Sequence, residues 1–356
     1  MRKALVVLLV FVMVAPLFAD DAKVLPSGVL RIYTVPVGSF LTGTWDEDGE
    51  LTANKSDDDD SQPDGMIFSL GGAVEYGVTD QISAGFQWTP VYNFLKEADA
   101  ASPDGVDGEP LFGGLNSLDI GAEVQILGNQ GYVSNEKMRV SITPGMVVPM
   151  PTRDWKAEGK ATADGDDFVS PGAEPLTQFA FGGLFNFDYV VTDEFFVNVF
   201  AETRYRLPRT VDYTDYYNEA SKDAVGGEDV VDKYELEYGS NVFFETGLDL
   251  NYELPVSDSV QVNFGLPARF TLNTPREDTT TVETTTTGPG VEDDGETSVE
   301  PDDPSYTFYL DPSVGTFLSG LSVPLEFVAT YRLPLFGQNA SQLHSVALEG
   351  RVYLAF

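Results

Sequence analysis

Apolar and polar side chains alternate with a period of two along this chain, and each run holds for about ten residues, well beyond the mean globular strand of about 5–6. Met66, Phe68, Leu70, Val74 and Tyr76 oppose Ser69, Gly71 and Glu75, and Ile82, Ala84, Phe86, Trp88 and Tyr92 oppose Gln81, Ser83, Gln87 and Thr89. Leu118, Ile120, Val124 and Ile126 oppose Asp119, Glu123 and Gln125, while Phe195, Val197, Val199 and Tyr205 oppose Asn198, Glu202, Arg204 and Arg206. Reading the whole chain this way gives twelve segments. Two alternate less cleanly, Gly28 to Phe40 with Pro36 and Tyr306 to Leu318 with Pro312, and because proline removes a ladder donor each is expected either to carry a bulge or to have slightly different bounds. A soluble β-sandwich also alternates, but its strands are short and its apolar faces meet in a shared core. A run of about ten residues is what a tilted strand needs to cross a bilayer. Aromatics near the strand ends (Tyr76, Trp88, Tyr92, Tyr189, Tyr205, Tyr252) sit where interfacial girdles would be.

The connections alternate as well. Gly77–Asp80, Val191–Asp193 and Pro255–Asp258 read as tight turns in which Thr, Ser and Asp side chains bond nearby backbone, and Gly128–Gly131 and Ser319–Gly320 are assigned similar roles. Between them lie long stretches, about Trp45–Gly65, Leu95–Gly114, Pro151–Pro175, Leu207–Asp232 and Asn273–Ser305. Short inner turns and long outer loops belong to transmembrane barrels, and an even strand number puts both barrel ends on the periplasmic side. The expected fold is therefore all-β: an antiparallel up-and-down barrel of about 12 strands.

Both ends of the sequence agree. Arg2 and Lys3 precede an apolar stretch from Ala4 to Phe18, and Ala19 precedes Asp20, so residues 1–19 read as a secretory signal and 20–356 as one barrel domain. The apolar stretch is shorter than the about 20 residues a spanning helix needs. There is no Cys for lipid anchoring or disulfides. At the other end Val346, Leu348, Val352, Leu354 and Phe356 alternate with Glu349, Arg351 and Tyr353 up to a terminal aromatic residue. This ending resembles the closing strand of bacterial outer-membrane β-barrels, and the repeated Val-Thr/Ser-Asp turn is similar to a pattern of porin-like members. The resemblance implies that Phe356, with Leu354 and Val352, is read by the barrel-assembly machinery, and that the partners include outer-membrane lipid in a two-membrane bacterium.

On the polar faces the basic residues are all arginine: Arg31, Arg139, Arg204, Arg206, Arg269, Arg332 and Arg351. Lysines such as Lys55, Lys96 and Lys156 fall in turns and loops. The acidic candidates on the same faces are Glu75, Asp119, Glu123, Glu202, Glu245, Asp249, Glu326 and Glu349. The planar guanidinium suits bidentate pairing with carboxylates in confinement. Opposed rows of charge could orient polar solutes in a pore, or the pairs could zip together and fill the barrel. Eight strands are typically filled and 16–18 leave a channel, so twelve points to a narrow pore.

The formal net charge of −37 excludes nucleic acid as a partner. Much of that charge lies in loop runs such as Asp46–Glu50, Asp57–Asp60 and Glu292–Glu296, which are candidates for divalent-cation bridging although none carries the Asp-x-Asp-x-Asp-Gly calcium loop. Catalysis has little footing and no cofactor is implied. The one histidine, His344, neighbours Ser345, and adjacent strand residues point to opposite faces. The expected function is a passive channel for small hydrophilic solutes or ions, the alternative a surface barrel whose acidic loops bind partners. A hydrophobic-substrate transporter of the fatty-acid type would resemble this chain in its turns, but implies a folded plug ahead of the first strand, where only about Asp20–Ser27 stands.

Overall fold

A computed structural model describes residues 21–53, 66–93, 111–150, 178–212, 214, 233–283, 295–298 and 303–356. The chain forms β1 (Val29–Trp45), β2 (Leu51–Ala53), β3 (Met66–Thr79), β4 (Ile82–Asn93), β5 (Leu111–Leu127), β6 (Met138–Pro149), β7 (Ala180–Val190), β8 (Phe195–Arg206) and β9 (Arg209–Asp212). There follow β10 (Lys233–Tyr238), β11 (Asn241–Ser257), β12 (Val260–Asn273), β13 (Thr279–Glu283), β14 (Gly295–Ser298), β15 (Ser305–Leu310), β16 (Ser313–Leu318), β17 (Leu325–Gln338) and β18 (Ala340–Ala355).

Each spanning strand pairs antiparallel with its neighbours, from β1 through β3–β8, β11, β12, β15 with β16, β17 and β18. The ring closes where β1 meets β18, with Val29 opposite Ala355 and Trp45 opposite Ala340. The result is a closed barrel of twelve spans. Among the described residues no helix is long and apolar enough to cross a membrane.

Burial in this barrel is inverted relative to a soluble protein. Phe185, Leu248, Phe264, Phe327 and Leu348 are exposed, the last two by 55% and 56%, whereas Glu75, Gln125, Ser141, Asp188 and Asn198 are almost wholly enclosed. The period-two pattern sends alternate side chains to the two surfaces, and only a lipid-covered outside makes that distribution favourable. A charge at mid-depth on the outer face would cost about 2–4 kcal/mol, which explains why the arginines take the other face.

Several boundaries differ from the sequence reading. The closing strand starts at Ala340 rather than Val346, and β17 runs to Gln338, so one residue, Asn339, makes the last outer turn. Its φ of 47° is a left-handed conformation that asparagine tolerates. The segment around Pro312 is interrupted as expected, splitting one span into β15 and β16. At Pro36 there is no bulge: register with β3 continues through Pro36 opposite Leu70, and the β1 irregularity falls between Leu41 and Gly43. Gly128–Gly131 is no tight turn but part of the longer connection from β5 to β6, and Ser319–Gly320 opens a connection through residue 324.

Of the outer segments, β2 extends the β1 hairpin, and β9, β10, β13 and β14 form a separate four-stranded sheet. The acidic run Asp57–Asp60, most of Glu292–Glu296, the signal segment and most of the long-loop residues lie outside the described residues.

Candidate functional site: the enclosed polar face

All fifteen charged residues picked out by alternation lie on the enclosed face, and the ladder places most of them beside an opposite charge. Arg31 stands opposite Glu75 across β1 and β3, with a guanidinium nitrogen 2.5 Å from the carboxylate. Arg139 faces Asp188 across β6 and β7 at 2.8 Å. Arg269 reaches Glu245 at 2.9 Å and Asp311 at 3.5 Å, and Arg332 grips Asp311 through two nitrogens at 3.1 and 2.9 Å. Arg351 bridges Glu349 and Glu326, Arg204 pairs with Glu202, and Arg206 donates to the Asn273 side chain at 3.0 Å. These pairs run around most of the ring. Asp119 and Glu123 on β5 take part in none of these pairs, and Asp249 is buried on β11.

Aromatic side chains share this face, which the sequence reading did not anticipate. Arg139 stacks 4.6 Å from the Phe196 ring, Arg269 4.9 Å from Phe200, Arg332 4.1 Å from Tyr309, and both Arg204 and Arg206 lie over Phe243. Tyr309 and Tyr353 donate their hydroxyls to Glu245 and Glu326 at 3.0 and 2.6 Å. Cation–π attraction strengthens when the cation is shielded from water, so each ring holds a guanidinium without neutralising it. The signal was present in the doublets Phe195–Phe196 and Phe243–Phe244: neighbours in a strand face opposite sides, so one ring of each must turn inward.

The second unanticipated feature is the stretch before β1. Residues 21–27 cross the barrel mouth to its far wall. The Ala22 amide donates to both oxygens of Asp188 on β7, at 3.3 and 3.2 Å, and its carbonyl accepts from Gln125 on β5. Asn186 donates to the Asp21 carbonyl at 3.4 Å. Lys23 reaches Glu253 on β11 at 2.5 Å and Asp21 at 3.3 Å, with its ammonium 4.5 Å from the Phe196 ring. Burial works against that ammonium, but Asp21 and Glu253 together outweigh it and hold its pKa above the ordinary lysine value. Val24 and Leu25 are buried, and Ser27 is held by Asp80.

The two faces also separate the histidine pair. His344 accepts from or donates to the Tyr331 hydroxyl at 2.9 Å on the outer face, while Ser345 meets Ser39 at 2.8 Å on the inner one. Among the described residues no group of three or more His, Cys, Asp or Glu side chains is placed to hold a metal ion. In the described acidic turn, one Asp46 carboxylate oxygen is taken by the backbone amides of Asp48 and Glu50.

No family model and no curated protein matches the sequence. Solved structures match the fold. An outer membrane channel from Pseudomonas putida F1 superposes with a TM-score of 0.52 at 11% identity, covering 95% of this chain and 100% of that one. A toluene transporter of Ralstonia pickettii, TbuX, gives 0.42 at 10% identity over 93% and 90% of the two chains, and the NanC porin 0.37 at 6% over 91% and 100%. With its closed ring of twelve spans and inverted burial, the chain has the fold of a bacterial outer-membrane β-barrel.

Proposed function

We propose that this protein is an outer-membrane channel through which small hydrophilic solutes or ions diffuse passively. The observation that carries the reading is the ring of paired charges: six arginines matched to carboxylates on one enclosed face, with an apolar face outside. Such a face solvates a polar solute and orients its dipole, while the membrane sees only hydrocarbon. The arginine and carboxylate positions are its pore-lining residues, and a signal peptide ending at Ala19 would deliver the barrel to the periplasm. Refolded protein in a planar bilayer should give stepwise conductance, and a salt gradient should give a reversal potential that shifts when Arg204 and Arg206 are both changed to glutamine. An unchanged reversal potential would remove those arginines from the conduction path.

A second reading is supported by the extent of the internal pairing and by residues 21–27 at the mouth: a sealed barrel that anchors acidic outer loops for partners or divalent cations. Silence in the bilayer across a range of salts favours it. In either case the closing strand, with Val352, Leu354 and Phe356, is the recognition element for the barrel-assembly machinery. Deleting Phe356 should lower membrane assembly in cells while leaving refolding into detergent intact.

A further inference from the structure

One arginine of the enclosed face is not engaged with a carboxylate. Arg206 stands at the end of β8 away from the Val191–Asp193 turn, which is the outer end of the lumen. Its guanidinium donates to another side chain only through Nη1, to the Asn273 oxygen at 3.0 Å. Nε and Nη2, which together form one edge of the planar fork, have no partner among the described residues. The side chain is only partly enclosed.

The surroundings of Arg206 favour an anion. The charged side chains that act on it are two further arginines, Arg204 and Arg276, with no carboxylate among them. The acids of this region answer the other two: Glu202 pairs with Arg204, and Asp278 holds Arg276 through Nε at 2.8 Å and Nη2 at 2.7 Å. Beneath Arg206 lies the Phe243 ring, 5.6 Å from the guanidinium carbon, which offers a cation a π face but no countercharge. Asn241 is directly opposite Arg206 in the β8–β11 ladder and only 7% exposed, yet its side-chain oxygen accepts no hydrogen bond and its NH2 group makes none with a described residue. An enclosed amide without a partner next to a half-used guanidinium is a polar seat lacking its ligand. The free Nε–Nη2 edge offers two parallel N–H groups, which a planar carboxylate matches with two oxygens and a spherical ion cannot.

We propose that Arg206, with Asn241 beside it and the field of Arg204 and Arg276 around it, is a binding subsite for the carboxylate group of a small organic anion. The subsite deepens the channel reading and rests on it for the solute's route through the barrel; binding itself needs no conduction.

The test uses the whole protein refolded in detergent and unfolded thermally in sodium propionate and in sodium chloride at equal ionic strength. A ligand that binds only the folded state raises the midpoint in a saturable way. Propionate should do so beyond chloride in the wild type, and neutral propionamide should not. Arg206→Gln, which breaks no ion pair with a described residue, should lose the propionate increment. Asn241→Leu should raise the half-saturating propionate concentration about tenfold or more, the usual effect of losing a hydrogen bond to a charged group. Identical wild-type midpoints in the two salts overturn the proposal, as does an equal propionate response in the wild type and Arg206→Gln, or an equal shift by propionamide. Inorganic phosphate matching propionate at the same concentration would make the seat one for any oxyanion and overturn the carboxylate assignment. If Arg206→Gln does not fold, an unshifted propionate dependence in Asn241→Leu overturns the proposal. A planar bilayer separates the two claims. Propionate stabilisation of a barrel that carries no current refutes the channel reading alone, whereas steady current without propionate stabilisation refutes the subsite alone.

Discussion

Changing Ala22 to proline is the sharpest perturbation of the segment that crosses the barrel mouth. The Ala22 amide is the donor to Asp188, and proline has no amide hydrogen, so the substitution removes this bond while leaving every wall residue in place. A hydrogen bond to a charged acceptor contributes about 1.5–3 kcal/mol. At 1.4 kcal/mol per factor of ten, the undocked population should rise by about tenfold to about a hundredfold. The chain has no cysteine, so Val24→Cys supplies a single reporter at a position only 4% exposed in the docked segment. When opening and closing are fast, the rate of modification by a membrane-impermeant maleimide follows the open fraction. Val24→Cys combined with Ala22→Pro should therefore label about ten to a hundred times faster than Val24→Cys alone. Equal rates would refute the idea that the Ala22–Asp188 bond holds the segment in place.

Three further outcomes follow from the same geometry. Leu348→Arg, on the exposed outer face, should lower unfolding stability in lipid vesicles by about 2–4 kcal/mol, whereas Leu348→Ile should be close to neutral. Arg31→Met strips the partner from the enclosed Glu75 and should cost about 3–5 kcal/mol by denaturant unfolding, with the double change Arg31→Met and Glu75→Leu recovering most of it. Because the Lys23 pKa is raised, its contribution to docking is complete below the ordinary value of 10.5 and is lost as pH rises through the higher folded value. Channel current should thus hold steady up to that range and change above it in the wild type, while Lys23→Gln should show no such alkaline step.

What the sequence made legible was whatever alternation and chain-local chemistry control. Arg31, Arg139 and Arg351 could be assigned to the enclosed face from parity alone, and Glu75 and Glu326 with them. Their pairing could not, because partners such as Arg31 and Glu75 are brought together by strand register, which the residues of neither strand specify alone. Gly337 and Asn339 are turn-type residues, but they do not say how short the turn is: β17 runs to Gln338 and β18 starts at Ala340, leaving Asn339 as the one left-handed position. Residues 21–27 were read as a short lead-in since their pattern is too brief to signal a structure. Their place depends on Asp188, Gln125 and Glu253, three residues far apart in sequence that only the closed ring brings to one mouth.

The seam between the first and last strands has a kinetic consequence. Val29 pairs with Ala355, Trp45 with Ala340, and the Phe356 amide donates to the Gly28 carbonyl at 3.0 Å, so the wall becomes continuous only when β18 has paired with β1 along its length. Gly28 holds φ at 79° there, and a side chain would bring its Cβ to 3.1 Å from the Phe356 carbonyl, so glycine is built into the join. Until then both β1 and the growing end carry unpaired backbone edges, the feature that nucleates aggregation in β proteins. Contacts between the two ends of a chain are the slowest to form by diffusion. Pairing along this seam removes both open edges in one step, so any state in which β18 has not yet met β1 carries two strand edges that need cover.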